Sequence, residues 1–343
     1  MDTAESVKKS FIVTSTVILT SAFFYVFYQS SVIFLSAIIG VGISSLIVPF
    51  INRLENDFKV PRALGALTLL IFLFLVFTIA FVLIGSILYE QFDGFKENLP
   101  KVINDWEGRW TKLAEEYPKL SALAKNQSSS DITGSFFSYA ALTISGLVSA
   151  GTGITLAAVI ALFTSINAEK YYQWLMENLP EKIKERAKNR LNVSRNTLHS
   201  WFVAQLLDMA IVAFITATAL WVCGIKYWAL FGVVTGILVI IPYLGIVISV
   251  IFSACVIMVI QPDKIMWLLG VFAITQQIEG NLILPLIMRD QVKIPAAPLI
   301  FFMALFGTWF GILGVIVTPP LLAIAFSQYR YSKQISEVKN DEN

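Results

Sequence analysis

The chain alternates between long stretches that carry no charge and short stretches crowded with it. Residues 10–52, 63–89, 132–168, 227–262 and 294–329 contain no Asp, Glu, Lys or Arg. A helix rising about 1.5 Å per residue needs about 20 apolar residues to cross hydrocarbon, so each stretch is long enough. Gln29-Ser30-Ser31 divides the first into spans near 10–28 and 32–51. The pattern places others near 63–89, 140–166, 201–223, 227–260, 265–288 and 297–328. These runs are apolar on every face, which excludes the alternating strands of a membrane barrel, and helices satisfy their own backbone in lipid. The predicted fold class is an all-α polytopic integral membrane protein, one membrane domain over 1–343 with about eight hydrophobic segments.

Two polar stretches interrupt this pattern. In 90–131, Phe92, Phe95, Leu99, Val102, Trp106, Trp110, Leu113, Tyr117 and Leu120 recur every three or four residues, with acids and lysines on the opposite face. In 169–198, seven basic and four acidic residues accompany Tyr171, Trp174, Leu175, Leu179 and Ile183. Both read as amphipathic interfacial helices, because Trp and Tyr favour the membrane surface and a basic face suits an anionic leaflet. The plain alternative for each is a solvated connector.

Composition strengthens the membrane reading. Hydrophobic residues make up 57% of the chain and charged residues 14%, with 26 Phe, 8 Trp and a mean hydropathy of +0.73. A soluble domain carries about 25% charge. The net charge of +2 is too small and dispersed for a nucleic-acid partner. Lys and Arg divide 16 to 9 between the two sides, counting Lys264 with the 16, so the positive-inside bias puts both termini and 169–198 in the cytoplasm and 90–131 outside. The setting is a cell (inner) membrane. Lys8-Lys9 precedes an apolar run without a small-x-small cleavage site, so that run reads as an uncleaved first span. Cys223 and Cys255 both lie in apolar runs and read as small buried hydrophobes.

The motifs of zinc hydrolysis, acyl-enzyme formation and nucleotide binding are all missing: there is no His-Glu-x-x-His, no Gly-x-Ser-x-Gly and no Walker loop. The chain therefore reads as no enzyme, with no metal and no cofactor, and any uphill movement must draw on an ion gradient or a partner. His199, the one histidine, reads as a wet interfacial residue beside the basic segment.

Ionisable groups within spans are expensive and call for a protein-lined or wet environment. Two stand out. Asp208 lies on the same helical face as Gln205, one turn away. Glu279 sits in a polar knot, where Gln276, Gln277 and Asn281 can surround it with amide dipoles. The alternative for both is a carboxyl that locks helix packing. The second feature is interrupted backbone. Pro242 and Gly245 fall inside the 227–262 run, and Gly307, Gly311, Gly314 and Pro319 inside 294–329. Each run reads as a broken helix or a re-entrant hairpin, and paired interruptions point to a transporter's binding region.

Several motifs resemble the autoinducer-2 exporter family of permeases. They are Ile241-Pro242-Tyr243-Leu244-Gly245, Gln277-Ile278-Glu279-Gly280-Asn281 with Pro285, Val292-Lys293-Ile294-Pro295, Pro298-Leu299, and Gly311 to Gly314 with Pro319. Pro49 and Val60-Pro61-Arg62-Ala63 agree in the N-terminal half. The resemblance implies an eight-segment exporter of autoinducer-2 or another small polar solute, with sodium or lithium/proton antiporters among its members. The expected function is a secondary transporter or permease whose coupling uses protons, with Glu279 as the leading pathway residue. Its partners are a small polar solute or monovalent cation, protons and membrane lipid, and assembly as a homo-oligomer is left open. The rivals are a monovalent cation/proton antiporter and a non-transporting membrane scaffold.

Overall fold

The computed structural model describes residues 14–16, 18–21, 25, 29–116, 153, 155–287 and 294–341. The expected span near 10–28, the first half of that near 140–166, and 117–131 lie largely or wholly outside them. Among the described residues all regular structure is helical. Among the described residues three helices, Ser31–Phe58, Glu181–Val222 and Ala296–Glu337, have the length and composition to cross a bilayer, and shorter apolar helices accompany them, as in a multi-pass membrane protein.

Helix α1 is Ser31–Phe58 and α2 is Arg62–Glu116. Between them Lys59 takes a left-handed conformation (φ 56°). Arg62 fastens the corner by bonding Glu55 at 3.1 Å and Asn52 at 3.0 Å. At 55 residues α2 is about 80 Å long, far more than the ~30 Å of hydrocarbon. The amphipathic stretch from residue 90 is helical and continuous with the preceding apolar run at least to Glu116, with Pro100 inside it. Helix α3 is Thr155–Ile166, α4 is Ala168–Glu177 and α5 is Glu181–Val222. The basic stretch is likewise split: 181–198 prolongs the α5 span, and only α4 is a separate helix, with no buried residue.

Helices α6 (Trp228–Leu238) and α7 (Leu244–Ile260) divide the 227–260 run. They form an antiparallel hairpin with its tip at 239–243, because Phe231 near the start of α6 meets Phe252 late in α7, ring centres 6.0 Å apart. At 11 residues, about 16 Å, α6 reaches only partway across hydrocarbon. After a 3₁₀ turn at Pro262–Lys264 come α8 (Ile265–Ile278), a π-helical turn (Glu279–Ile283) and α9 (Leu284–Ile287). Helix α10 is Ala296–Asp341, folded back on itself at Gly311 (φ 64°). A Cβ on Gly307 of its first arm would stand 2.9 Å from the Val315 side chain of its second, and one on Gly314 2.2 Å from the Phe306 carbonyl oxygen, approaches between residues eight apart that a straight helix could not make. The two runs with interrupted backbone are therefore helical hairpins.

Contacts sort the chain into two ends. Arg190 reaches Gln328 and Ser332 of α10, and His199 reaches Ser45, so the start of α5 and the ends of α1 and α10 share one end, rich in basic residues. At the opposite end Lys264 Nζ donates to the Cys223 carbonyl at 3.1 Å, and Lys226 N–H donates to Gln261 at 2.7 Å. This corrects the charge count, which set Lys264 beside the basic segment: the hairpin returns the chain to the end it left. The upper part of α2 packs along the hairpin there. Gln91 accepts from the Ala229 and Leu230 N–H groups at 3.0 and 3.1 Å, filling two of the donors a helix start leaves open. Tyr227 donates to the Gly94 carbonyl at 2.6 Å and Trp106 to the Cys255 carbonyl at 2.9 Å.

Candidate functional site

The shared corner sets the depth of both carboxyls. Asp208 lies 15 residues before Cys223 on α5, and Glu279 lies 15 residues after Lys264 at the end of α8. Two helices descending from one corner carry them to the same depth, about 22 Å down. Asp208 is 3% exposed and Glu279 8%, and the turn that begins at Glu279 packs against α5. Among the described residues Asp208 Oδ1, Glu279 Oε2 and Gln276 Oε1 have no hydrogen-bond partner. Among the described residues neither carboxyl has a cationic partner within 4 Å.

Two local devices build this arrangement. At Pro285 the ring nitrogen cannot donate and the ring crowds the carbonyl four residues back, so the helix widens ahead of it. The Leu284 N–H accordingly donates to the Glu279 carbonyl, five residues away, which closes the π turn. The other device is the hairpin tip. Pro242 and Tyr243, at φ 65°, turn the chain, and Gly245 follows where a Cβ would stand 1.9 Å from the Leu238 carbonyl oxygen. The tip reaches the Gln205 level of α5 because α6 lies unusually close to α5, Gly232 against Ala213 and Ala217 and Gly236 against Met209 and Ala213. Gln205, buried beside Asp208 on α5, then donates to the Val239 carbonyl at the tip, at 3.2 Å.

The site brings together Asp208, Glu279, Gln205, Gln276 and the Val239 carbonyl. It does not include Gln277 and Asn281, which were expected around the carboxylate. Both are exposed, bonded to each other at 2.7 Å, and line a shallow outward groove of about 410 Å³ with Ala273, Ile274 and Ile278. Gly307, Gly311, Gly314 and Pro319 shape the second hairpin. Its Leu313 packs on Leu35 of α1, while its first arm meets the tip of the other hairpin through Leu299, Met303 and Ile241. Sequence reasoning missed the Val239 carbonyl and the approach of Asp208 to Glu279, because the equal 15-residue spacings gain meaning only once Lys264 is seen against Cys223.

Chemically the centre is a cluster of acceptor oxygens at membrane depth. Two carboxylates buried near one another repel, and the repulsion is relieved by a proton or by a cation held between the oxygens. Among the described residues no His/Cys/Asp/Glu group of three or more could hold a metal ion.

Comparison with known proteins adds an independent line. A family model described as AI-2E family transporter matches residues 17–332. Two proteins of Bacillus subtilis (strain 168) are similar along most of their length. "Putative transport protein YueF" is 24% identical over 322 residues, covering 88% of this chain and 84% of its own. "Putative transport protein YrrI" is 24% identical over 311 residues, covering 85% of this chain and 84% of its own.

Proposed function

Because the chain belongs to the AI-2E family of transporters, we propose that it is a proton-coupled secondary permease for a small polar solute, with Asp208 and Glu279 as the coupling groups. The observation that carries this reading is the buried carboxyl pair with unpaired oxygens, docked against a hairpin tip. A hairpin that enters and leaves at one end can withdraw its tip without unthreading a span, which opens the pair to that end. Proton binding at the pair and tip position then become linked, since each changes the field the other experiences. Gln205 and Gln276 supply amide contacts to a hydroxyl-bearing solute of the autoinducer-2 kind. The chain acts without enzymatic chemistry and without a cofactor.

One observation favours a second reading. With Gln277 and Asn281 turned outward, oxygen acceptors dominate the centre, which suits sodium or lithium exchanged for protons. The basic end, where Arg190 meets Gln328 and Ser332, is read as facing the cytoplasm in either case, on the positive-inside bias. On this reading both termini and 169–198 are inside, and 90–131 outside, an inner membrane.

Purified protein in liposomes tests both. Proton flux on adding autoinducer-2 or a related polyol supports solute coupling, and flux on adding sodium or lithium supports antiport. No flux with either would remove the transport assignment.

A further inference from the structure

Pro49 lies inside α1, where its nitrogen has no hydrogen to offer the carbonyl four residues back. That carbonyl belongs to Ser45, a buried residue, and an unpaired buried carbonyl is costly. His199 of α5 fills the gap, with Nδ1 2.8 Å from the Ser45 oxygen. A carbonyl oxygen only accepts, so Nδ1 carries the hydrogen and donates. The half-buried His199 is thus bonded into the helix interface, where the sequence suggested a wet surface residue.

The surroundings give this bond its meaning. Beside it α1 and α5 touch with no slack, since a Cβ at Gly42 would stand 2.0 Å from the Phe202 ring. On its other side α1 is held to α3 by Ser165, which donates to Ser44 at 3.0 Å, and to the second hairpin by Leu35 against Leu313 and Val317. Helix α1 is therefore a fixed post. Gln205 and Asp208 follow His199 on α5 by six and nine residues, so a slip or rotation at His199 is passed up a rigid helix to both.

We infer that His199 is a positioning residue for the carboxyl pair: by donating to the carbonyl that Pro49 leaves unpaired, it keys α5 to α1 and fixes the depth and rotation at which Asp208 meets Glu279. The functional part rests on the proposed role of the pair, whereas the keying itself does not.

The test compares four variants of the full chain in liposomes. His199→Leu removes the donor. His199→Asn keeps an N–H at the same distance from Cβ. Pro49→Ala returns a backbone N–H to Ser45, and the fourth variant combines Pro49→Ala with His199→Leu. Two readouts are taken: ion- or solute-driven proton flux, and the division of dicyclohexylcarbodiimide label between Asp208 and Glu279 by mass spectrometry. His199→Leu should lower flux about tenfold and alter the label ratio more than about twofold, while His199→Asn keeps both within about twofold of the native protein. In the Pro49→Ala background, His199→Leu should cost less than about twofold further, because the carbonyl already has its donor. Equal damage in both backgrounds, or Asn no better than Leu, overturns the inference. If even the native protein carries no flux, the transport reading falls and the label ratios still decide the keying. If His199→Leu fails to accumulate in membranes, the inference requires that His199→Asn and the double variant do accumulate, and loss of both refutes it.

Discussion

The substitution Gly236→Ala puts the docking of the hairpin tip under direct test. A Cβ at residue 236 would lie 2.5 Å from Ala213 Cβ and 2.6 Å from the Met209 carbonyl oxygen, both on α5. Ordinary contact begins near 3.4 Å, so α6 must move off α5 by about 1 Å, and overpacking of this size costs about 1–3 kcal/mol. Val239 follows three residues later, and its carbonyl accepts from Gln205 at 3.2 Å. A shift of about 1 Å takes that bond past its useful range. The population with the tip docked should fall roughly five- to hundredfold, each 1.4 kcal/mol being about a factor of ten. Gly270→Ala on α8 is the control, because nothing stands within 4 Å of a Cβ there. Flux in liposomes and thermal unfolding are measured on both variants. If Gly236→Ala transports within about twofold of Gly270→Ala, close α5–α6 contact does not position the tip and the argument fails.

Lys264→Cys should react with a membrane-impermeant thiol reagent from the side where residue 110 is exposed, and not from the side of residue 185; the reverse would show that α6 and α7 are not a returning hairpin. Reporter fusions should find residue 185 in the cytoplasm and residue 110 outside. Gln91→Leu leaves the Ala229 and Leu230 N–H groups without their acceptor and should cost about 1–2 kcal/mol in thermal unfolding, whereas Gln91→Glu keeps an acceptor and loses less.

How far the sequence carries is clear from particular elements. Charge-free runs announced membrane helices, because lipid leaves the backbone no other choice. Pro242 and Gly311 marked the breaks, since one cannot donate and the other adopts a positive φ. Whether a break is a kink or a full reversal stayed hidden: in a run apolar on every face, periodicity does not say which neighbour a helix packs on. Polarity does not mark a helix end at residue 90 of α2 or at residue 198 of α5, since each helix runs through the change. The facing of Gln277 and Asn281 was misjudged for another reason. Gln277 and Asn281 stand two residues either side of Glu279, which at about 100° per residue turns both to the opposite face, so nearness in sequence misled where the helical wheel would not. The approach of Asp208 to Glu279 depends on the Lys264–Cys223 corner, a contact between residues 41 apart that no local pattern encodes.

The central claim is that Asp208 and Glu279 act together as the proton-carrying pair. Proton flux driven by solute or by sodium and lithium, measured in liposomes for native protein, Asp208→Asn, Glu279→Gln and the double variant, addresses it most directly. Each substitution keeps size and hydrogen bonding but removes the ionisable group. Because the groups sit at one depth on elements that pack together, each single variant should lose flux by about a hundredfold or more and the double variant should lose little beyond that, the non-additivity of residues working as one unit. All three should still insert and unfold near the native temperature. Native flux with native pH dependence in either single variant would show that its carboxyl is a packing element, and the account of the site would be wrong.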